Sequence, residues 1–192
     1  MNWKAGELPK LENPETQDMS PDRLELIDAY LQGYIAQGKL AGSSFAIMRR
    51  GHLVYYKAFG QADLESQAPM QSDTVHRIYS MSKPITSVAL LTLYEQGKFQ
   101  LDDPIEKYLP EFKDMQVFTG GTAALPVTRH ATNSITPRHI MTHTAGLTYG
   151  FDGVPDAVDE MYRYKKIGSF DDDLSTFSDK ISKMPLRFDP GS

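Results

Sequence analysis

Apolar residues recur at Leu24, Ile27, Leu31 and Ile35, with Tyr34 beside the last, a spacing that lays one stripe along a helix. Ser20 is placed as its N-cap, Pro21 fits the first helical position, and Gly38 is a plausible stop. This amphipathic helix is expected to lie against a sheet. A change of pattern follows: Ser44 to Met48 and Leu53 to Tyr56 read as strands of a hairpin joined through Arg49-Arg50-Gly51-His52. Gly60 is expected to end the second strand, and residues 62–74 to form a polar connection. One helix and two strands make a poor core by themselves. Further strands are needed, yet no convincing group of them is found later in the chain.

The middle of the chain reads as helical. From Ile85 to Tyr94 the residues are apolar nearly all round, which predicts a central buried helix running until Glu95-Gln96-Gly97. Asp103-Pro104-Ile105-Glu106 has the order of cap, first-position proline and acidic third position, opening a short helix that ends near Pro110. Thr136-Pro137 caps another short helix, Arg138 to His143, which stops before Gly146. Residues 155–167 begin with Pro155 and Asp156 and close on Lys165-Lys166, a charge order suited to the helix dipole. Leu174, Phe177 and Ile181 mark a last amphipathic helix behind Asp171 to Asp173. Residues 1–19 are polar and proline-bearing, an extended lead-in. Residues 114–135, with Gly120-Gly121 and few periodic apolar positions, are expected to form a surface loop.

At 192 residues the chain fits one domain, with room for two lobes. The net charge of -5 and the lack of a basic cluster beyond Arg49-Arg50 and Lys165-Lys166 argue against a nucleic-acid partner. Without cysteine there is no disulfide, thiolate metal site or cysteine nucleophile. The first residues lack the apolar core of a secretory signal, and no apolar run reaches the roughly 18 residues that span a membrane. A cytoplasmic location is therefore the expectation.

Chemistry concentrates at Ser80-Met81-Ser82-Lys83. A serine hydroxyl is a weak nucleophile until a base takes its proton, and lysine serves when burial leaves it neutral. Residues three apart share one face of a helical turn, and in a tight 3₁₀ turn they eclipse. Pro84 is tolerated only near a helix start, which places Ser80 in the turn before the helix. Unsatisfied N–H groups there can hold an oxyanion, and the apolar residues from Ile85 onward would dry the surroundings of Lys83. The plainer reading is that serines at helix starts cap helices. The pattern alone leaves the cap reading ahead, and the buried helix behind Ser80 adds some weight to the nucleophile, while Ser82 faces elsewhere and is read as a cap. His139 and His143 stand at zinc-like spacing, but no third ligand is evident, and His143 is read as a hydrogen-bond partner of the loop containing Gly146. Asp103 is explained by capping and not by a divalent ion. Gly120-Gly121 lacks the frame of a phosphate loop. No cofactor is called for.

The run Ile78 to Pro84 resembles the first motif of the serine β-lactamase and penicillin-binding-protein superfamily. Gly97 to Pro110 is similar to the segment that follows in the class C β-lactamase-like branch, which includes family VIII-type carboxylesterases. Ile135 to Leu147 is similar to that branch's His-Thr-Ser/Ala-Gly-Leu landmark, and Pro185 to Gly191 resembles the run leading to its second catalytic motif. The resemblance covers roughly residues 20–192. It implies an α+β, or α/β, two-lobed β-lactamase-like fold: an N-terminal helix and β-hairpin plus a mostly helical lobe, truncated, with the late sheet strands missing. Residues 20–192 would be the N-terminal part of a serine hydrolase domain.

By the same resemblance Ser80 would be the acyl-accepting nucleophile and Lys83 its base. The family's second-base tyrosine would fall just after Ser192, and its third motif much further on. Tyr79, Tyr149 and Tyr162 do not sit in the expected context. Either a second chain completes the sheet or the chain is a fragment of a longer enzyme, and the fragment is preferred. Alone it is expected to be poorly folded or inactive. The implied substrate is a small molecule, with carboxylic esters preferred over β-lactams and D-amino-acid peptides because of the cytoplasmic reading. A non-catalytic binding or scaffolding relative is the alternative of another class. The loop at 114–135 and Tyr149-Gly150-Phe151 are read evenly as acyl-pocket lining or as local packing.

Overall fold

The computed structural model describes residues 8–150 and 156–192. The chain divides into two compact units, one up to Ile78 and one from Tyr79.

In the first unit, helix α1 (Pro21–Ala36) starts as its caps predict: Ser20 Oγ accepts the Arg23 N–H at 3.4 Å, and Pro21 occupies the first turn. The chain leaves it through Gly38, at φ 68°. Strands β1 (Gly42–Arg49), β2 (His52–Asp63) and β3 (Ala68–Pro69) form an antiparallel sheet in that order. The predicted hairpin is present, but β2 does not end at Gly60. It continues to Asp63, and the expected polar connection contains β3. Gly60 pairs with Gly42 inside the sheet, and a Cβ there would stand 2.4 Å from the Ala41 carbonyl oxygen. Its φ of 68° and this close approach are why the position is glycine, so it marks a tight crossing within a strand and not a stop.

The α1 stripe buries Leu24, while Leu53, Val54 and Tyr55 form the buried part of β2. Asp28 on α1 accepts from both the Tyr55 hydroxyl and Lys57 Nζ, tying helix to sheet. The Lys57 ammonium, then the Tyr55 hydroxyl, holds the Asp28 carboxyl below the usual carboxylate range. Gly33 sits inside α1 with nothing within 4 Å of where a Cβ would be. Gly33→Ala is therefore expected to stabilise this unit by about 0.5–1 kcal/mol through lower unfolded-state entropy, read as a higher urea midpoint at unchanged m-value.

In the second unit a 3₁₀ turn (Tyr79–Met81) leads into α2 (Ser82–Glu95). Two more 3₁₀ turns follow, Ile105–Lys107 and Pro110–Phe112. Then come β4 (Gln116–Gly121), β5 (Pro126–His130), α3 (Pro137–Met141), α4 (Ala157–Tyr164) and α5 (Leu174–Ser182). Thr136 caps α3 through the His139 N–H, and Asp173 caps α5 through the Thr176 N–H. α4 is capped by Asp156; Pro155 lies outside the described residues. Asp103 is not the cap of the turn after it. Pro104 holds that position, and the Asp103 carboxylate reaches back to the Gln100 N–H and across to Lys107 and the Tyr108 hydroxyl. These donors, Tyr108 first, bring its pKa down to about 2.

Residues 114–135 are not a loop. β4 and β5 pair antiparallel, with an irregularity between Phe118 and Gly120, and Leu186 adds a parallel bridge to Val117. The Leu186 N–H donates to the Gln116 carbonyl at 2.7 Å, and the Phe118 N–H donates to the Leu186 carbonyl at 2.8 Å. β5 carries no buried residue, so it lacks the alternation that announces a strand. Val117 and Leu186 instead join a core with Ile135, Val158, Tyr162 and Ile181.

α2 departs most from expectation. None of its residues is buried, and Ile85 and Val88 are 63 % and 62 % exposed, while Tyr94 at its end packs its ring on Phe99. No helix among these residues is long and apolar enough to cross a membrane.

Asp189 joins distant parts of this unit. It accepts from Arg129 Nη1 at 3.0 Å and Nη2 at 2.5 Å, and from the Thr132 N–H at 2.8 Å. Arg129 first, then Thr132, holds its carboxyl well below the ordinary range. A depressed carboxyl stabilises the fold above its unfolded pKa of about 4, and that contribution is lost as pH falls further toward the folded value. Asp189→Asn should therefore be less stable than the parent at neutral pH, with the gap narrowing steadily below about pH 4 in denaturant titrations.

Candidate active site

Ser80 lies in the 3₁₀ turn and Lys83 in the first turn of α2, both exposed. Their separation of three residues brings the side chains together: Lys83 Nζ donates to Ser80 Oγ at 2.9 Å. Pro84 also falls in the first turn, where a missing N–H breaks no helical bond. Met81 occupies the N-cap without a side-chain cap bond, and the 3₁₀ turn runs directly into the helix. The expectation that Ser82 caps is not met; Ser82 is the first helical residue, and its carbonyl accepts from Thr86 Oγ1 at 3.0 Å. Immediately before Ser80, Tyr79 takes φ 45°, a strained value for an aromatic residue. The drying of Lys83 by Ile85 and its neighbours is absent among the described residues, since that face of α2 is open.

Tyr149 places its ring against Lys83, with Nζ 5.7 Å from the centroid. The loop that carries it is built from the landmark run. Gly146 has φ 82°, and a Cβ there would stand 2.4 Å from the Phe188 carbonyl oxygen. The Arg187 N–H donates to the Gly146 carbonyl at 2.8 Å. His143 itself takes φ 60°. At the other end of the loop, Arg163 Nη1 donates to the Gly150 carbonyl at 2.8 Å. Phe151 lies outside the described residues.

Beneath this loop sits Asp159, 0 % exposed. Its Oδ1 accepts from Thr148 Oγ1 at 2.6 Å and from the Gly150 N–H at 3.3 Å, and its Oδ2 accepts from Arg187 Nη2 at 2.6 Å. Arg187 also pairs with Asp156 at 2.5 Å. Burial pushes the neighbouring Tyr162 phenol up to about 12. Sequence reasoning missed Asp159. The only signal was its place three residues after a capping aspartate, and nothing local links it to Arg187.

The remaining sequence candidates do not join the pair. His139 packs against Gly191, whose Cβ would stand 2.9 Å from Nε2. Asp102 is held by Arg138 at 2.7 and 2.8 Å. Among the described residues no group of His, Asp and Glu could hold a metal ion. Gly120 and Gly121 end β4 at the hairpin. The hairpin instead borders a cavity of 890 Å³, lined with Met115, Met161, Tyr164 and Met184, and neither Ser80 nor Lys83 lines it.

A serine–lysine hydrogen bond at a helix start is the pairing of nucleophile and base that acyl transfer uses. The chain is 32 % identical to "Esterase EstB" of Burkholderia gladioli over 167 residues, which are 86 % of this chain and 40 % of the esterase. In three dimensions it resembles "EstCE1, a hydrolase with promiscuous acyltransferase activity", with TM-score 0.71 and 29 % identity over 88 % of this chain and 42 % of that one. It also resembles unliganded simvastatin synthase LovD from Aspergillus terreus, with TM-score 0.71 and 26 % identity over 90 % and 44 % of the two chains. The sequence profile described as Beta-lactamase matches residues 27–192, and the chain belongs to that family.

Proposed function

We propose that this chain carries the nucleophile of a serine hydrolase that cleaves carboxylic esters through an acyl-enzyme. The observation that carries the reading is the 2.9 Å hydrogen bond between Lys83 Nζ and Ser80 Oγ. In the reaction, Lys83 Nζ takes the Ser80 proton as Oγ attacks the ester carbonyl. N–H groups at the start of α2 stabilise the tetrahedral oxyanion. Its collapse expels the alcohol, which takes the proton back from Lys83, and water then releases the acid. The esterase named among the relatives supports an ester over a β-lactam or a D-amino-acid peptide. A second reading replaces water by an alcohol acceptor, as the acyltransferase wording of one structural relative suggests.

The test is intact-mass spectrometry after incubation with a fluorophosphonate ester, beside Ser80→Ala. A single adduct, absent from Ser80→Ala, is expected. An adduct that persists in Ser80→Ala sinks the assignment. Parallel assays with p-nitrophenyl butyrate and nitrocefin separate ester from β-lactam chemistry.

A further inference from the structure

We infer that Asp159 is a positioning residue for the Ser80–Lys83 pair, acting through the loop that holds the Tyr149 ring against Lys83 Nζ. The residues on either side of Tyr149 both donate to one buried oxygen: Thr148 Oγ1 at 2.6 Å and the Gly150 N–H at 3.3 Å reach Asp159 Oδ1. The other oxygen is held by Arg187 Nη2 at 2.6 Å. Three further constraints pin the loop. Arg163 donates to the Gly150 carbonyl, Arg187 N–H donates to the Gly146 carbonyl, and Gly150, at φ 77°, presses so close to Tyr162 that a Cβ would meet the tyrosine Cβ at 2.8 Å.

A carboxylate this deeply buried is costly, and an apolar pair would pack as well or better. Directional hydrogen bonds set the orientation of the short segment they flank, which apolar packing does not. That segment carries one outward aromatic, and its ring meets Lys83 at 5.7 Å. Lysine has four rotatable bonds, and an exposed lysine samples many rotamers. Ser80 Oγ on one side and the Tyr149 face on the other narrow that range to conformers within reach of the serine. The catalytic consequence rests on the esterase reading; the geometric one does not.

Two readouts separate them, both on the protein as its whole reading frame encodes it. First, reductive ¹³C-methylation reports each lysine by NMR, and the Lys83 signal is identified by its loss in Lys83→Arg. The Tyr149 ring current should shift it upfield, Tyr149→Leu should abolish the shift, and Asp159→Asn should reduce it. Thr148→Val leaves the Asp159–Arg187 pair intact and serves if Asp159→Asn does not fold. A Lys83 signal unmoved in whichever of these variants folds overturns the inference. Second, Tyr149→Leu and Asp159→Asn, or Thr148→Val in its place, should each slow fluorophosphonate labelling of Ser80 by about tenfold, with the double variant no slower than the slower single one. Losses that multiply in the double variant would mean that Asp159 acts by another route, and overturn the catalytic part. A parent protein that never labels at Ser80 counts against the esterase reading, while the NMR shift still decides the clamp.

Discussion

Lys83→Met is expected to slow acylation of Ser80 by on the order of 10³-fold, within the range that a positioned base contributes. The hydrogen bond to Ser80 Oγ is the contact that is lost. Methionine suits a helix and approximates the length of the chain, so α2 should persist. Lys83→Arg is the sharper variant. It keeps a positive charge near the oxyanion but cannot surrender its proton at ordinary pH. If Lys83 works as a base, arginine should be nearly as damaging as methionine. If it works only as a cation, arginine should keep most of the rate. The measurement is the pseudo-first-order rate of ester cleavage or phosphonylation, with circular dichroism to show that the helices remain. A loss smaller than about tenfold in both variants would remove Lys83 from the proton path.

Gly146→Ala should destabilise the second unit by more than about 2 kcal/mol, a size reserved for backbone strain, lost packing and broken hydrogen bonds. Two costs combine. Alanine resists φ 82°, and its Cβ would stand 2.4 Å from the Phe188 carbonyl oxygen and 3.1 Å from Leu186 Cβ. Relief requires the 146–150 loop to lift from the 186–188 segment, which would break the Arg187 N–H bond to Gly146. Leu186 is 0 % exposed and bridges to β4, so movement there reaches the core. Urea unfolding should show a lower midpoint, and an unchanged midpoint would mean that the loop is not held as described. Gly33→Ala makes the contrast, because the same added methyl meets nothing there. The loop also carries Tyr149, so Gly146→Ala should slow Ser80 labelling as well as unfold early.

How far these features could be read in advance depends on the range of the forces behind them. The spacing of Ser80 and Lys83 was legible because three residues in a helical turn leave little choice of geometry. The starts of α1, α3 and α5 were legible for a similar reason, since Ser20, Thr136 and Asp173 each bond an N–H three residues on. Gly146 was read as lying in the loop just past the short helix, and there it takes φ 82°. The β4–β5 hairpin was missed because β5 is exposed along its length and shows no alternation. Beside it, Leu186, far along the chain, bridges to β4 at Val117.

The order of residues alone decides where helices start, where the chain must turn, and that a serine and a lysine meet at the start of α2. These are local matters, settled by caps, glycine and proline within a few residues. Apolar residues on every side of α2 announce a helix suited to burial, but burial needs a surface to pack on, and none of its residues is buried within the second unit. Gly60 reads locally as a stop, and only its partner Gly42 shows that it lies within a strand. Asp159 and Arg187 are 28 residues apart, and neither carries a mark of the other. Only folding brings them together beneath Tyr149, because a buried charge must find its partner wherever the chain places one.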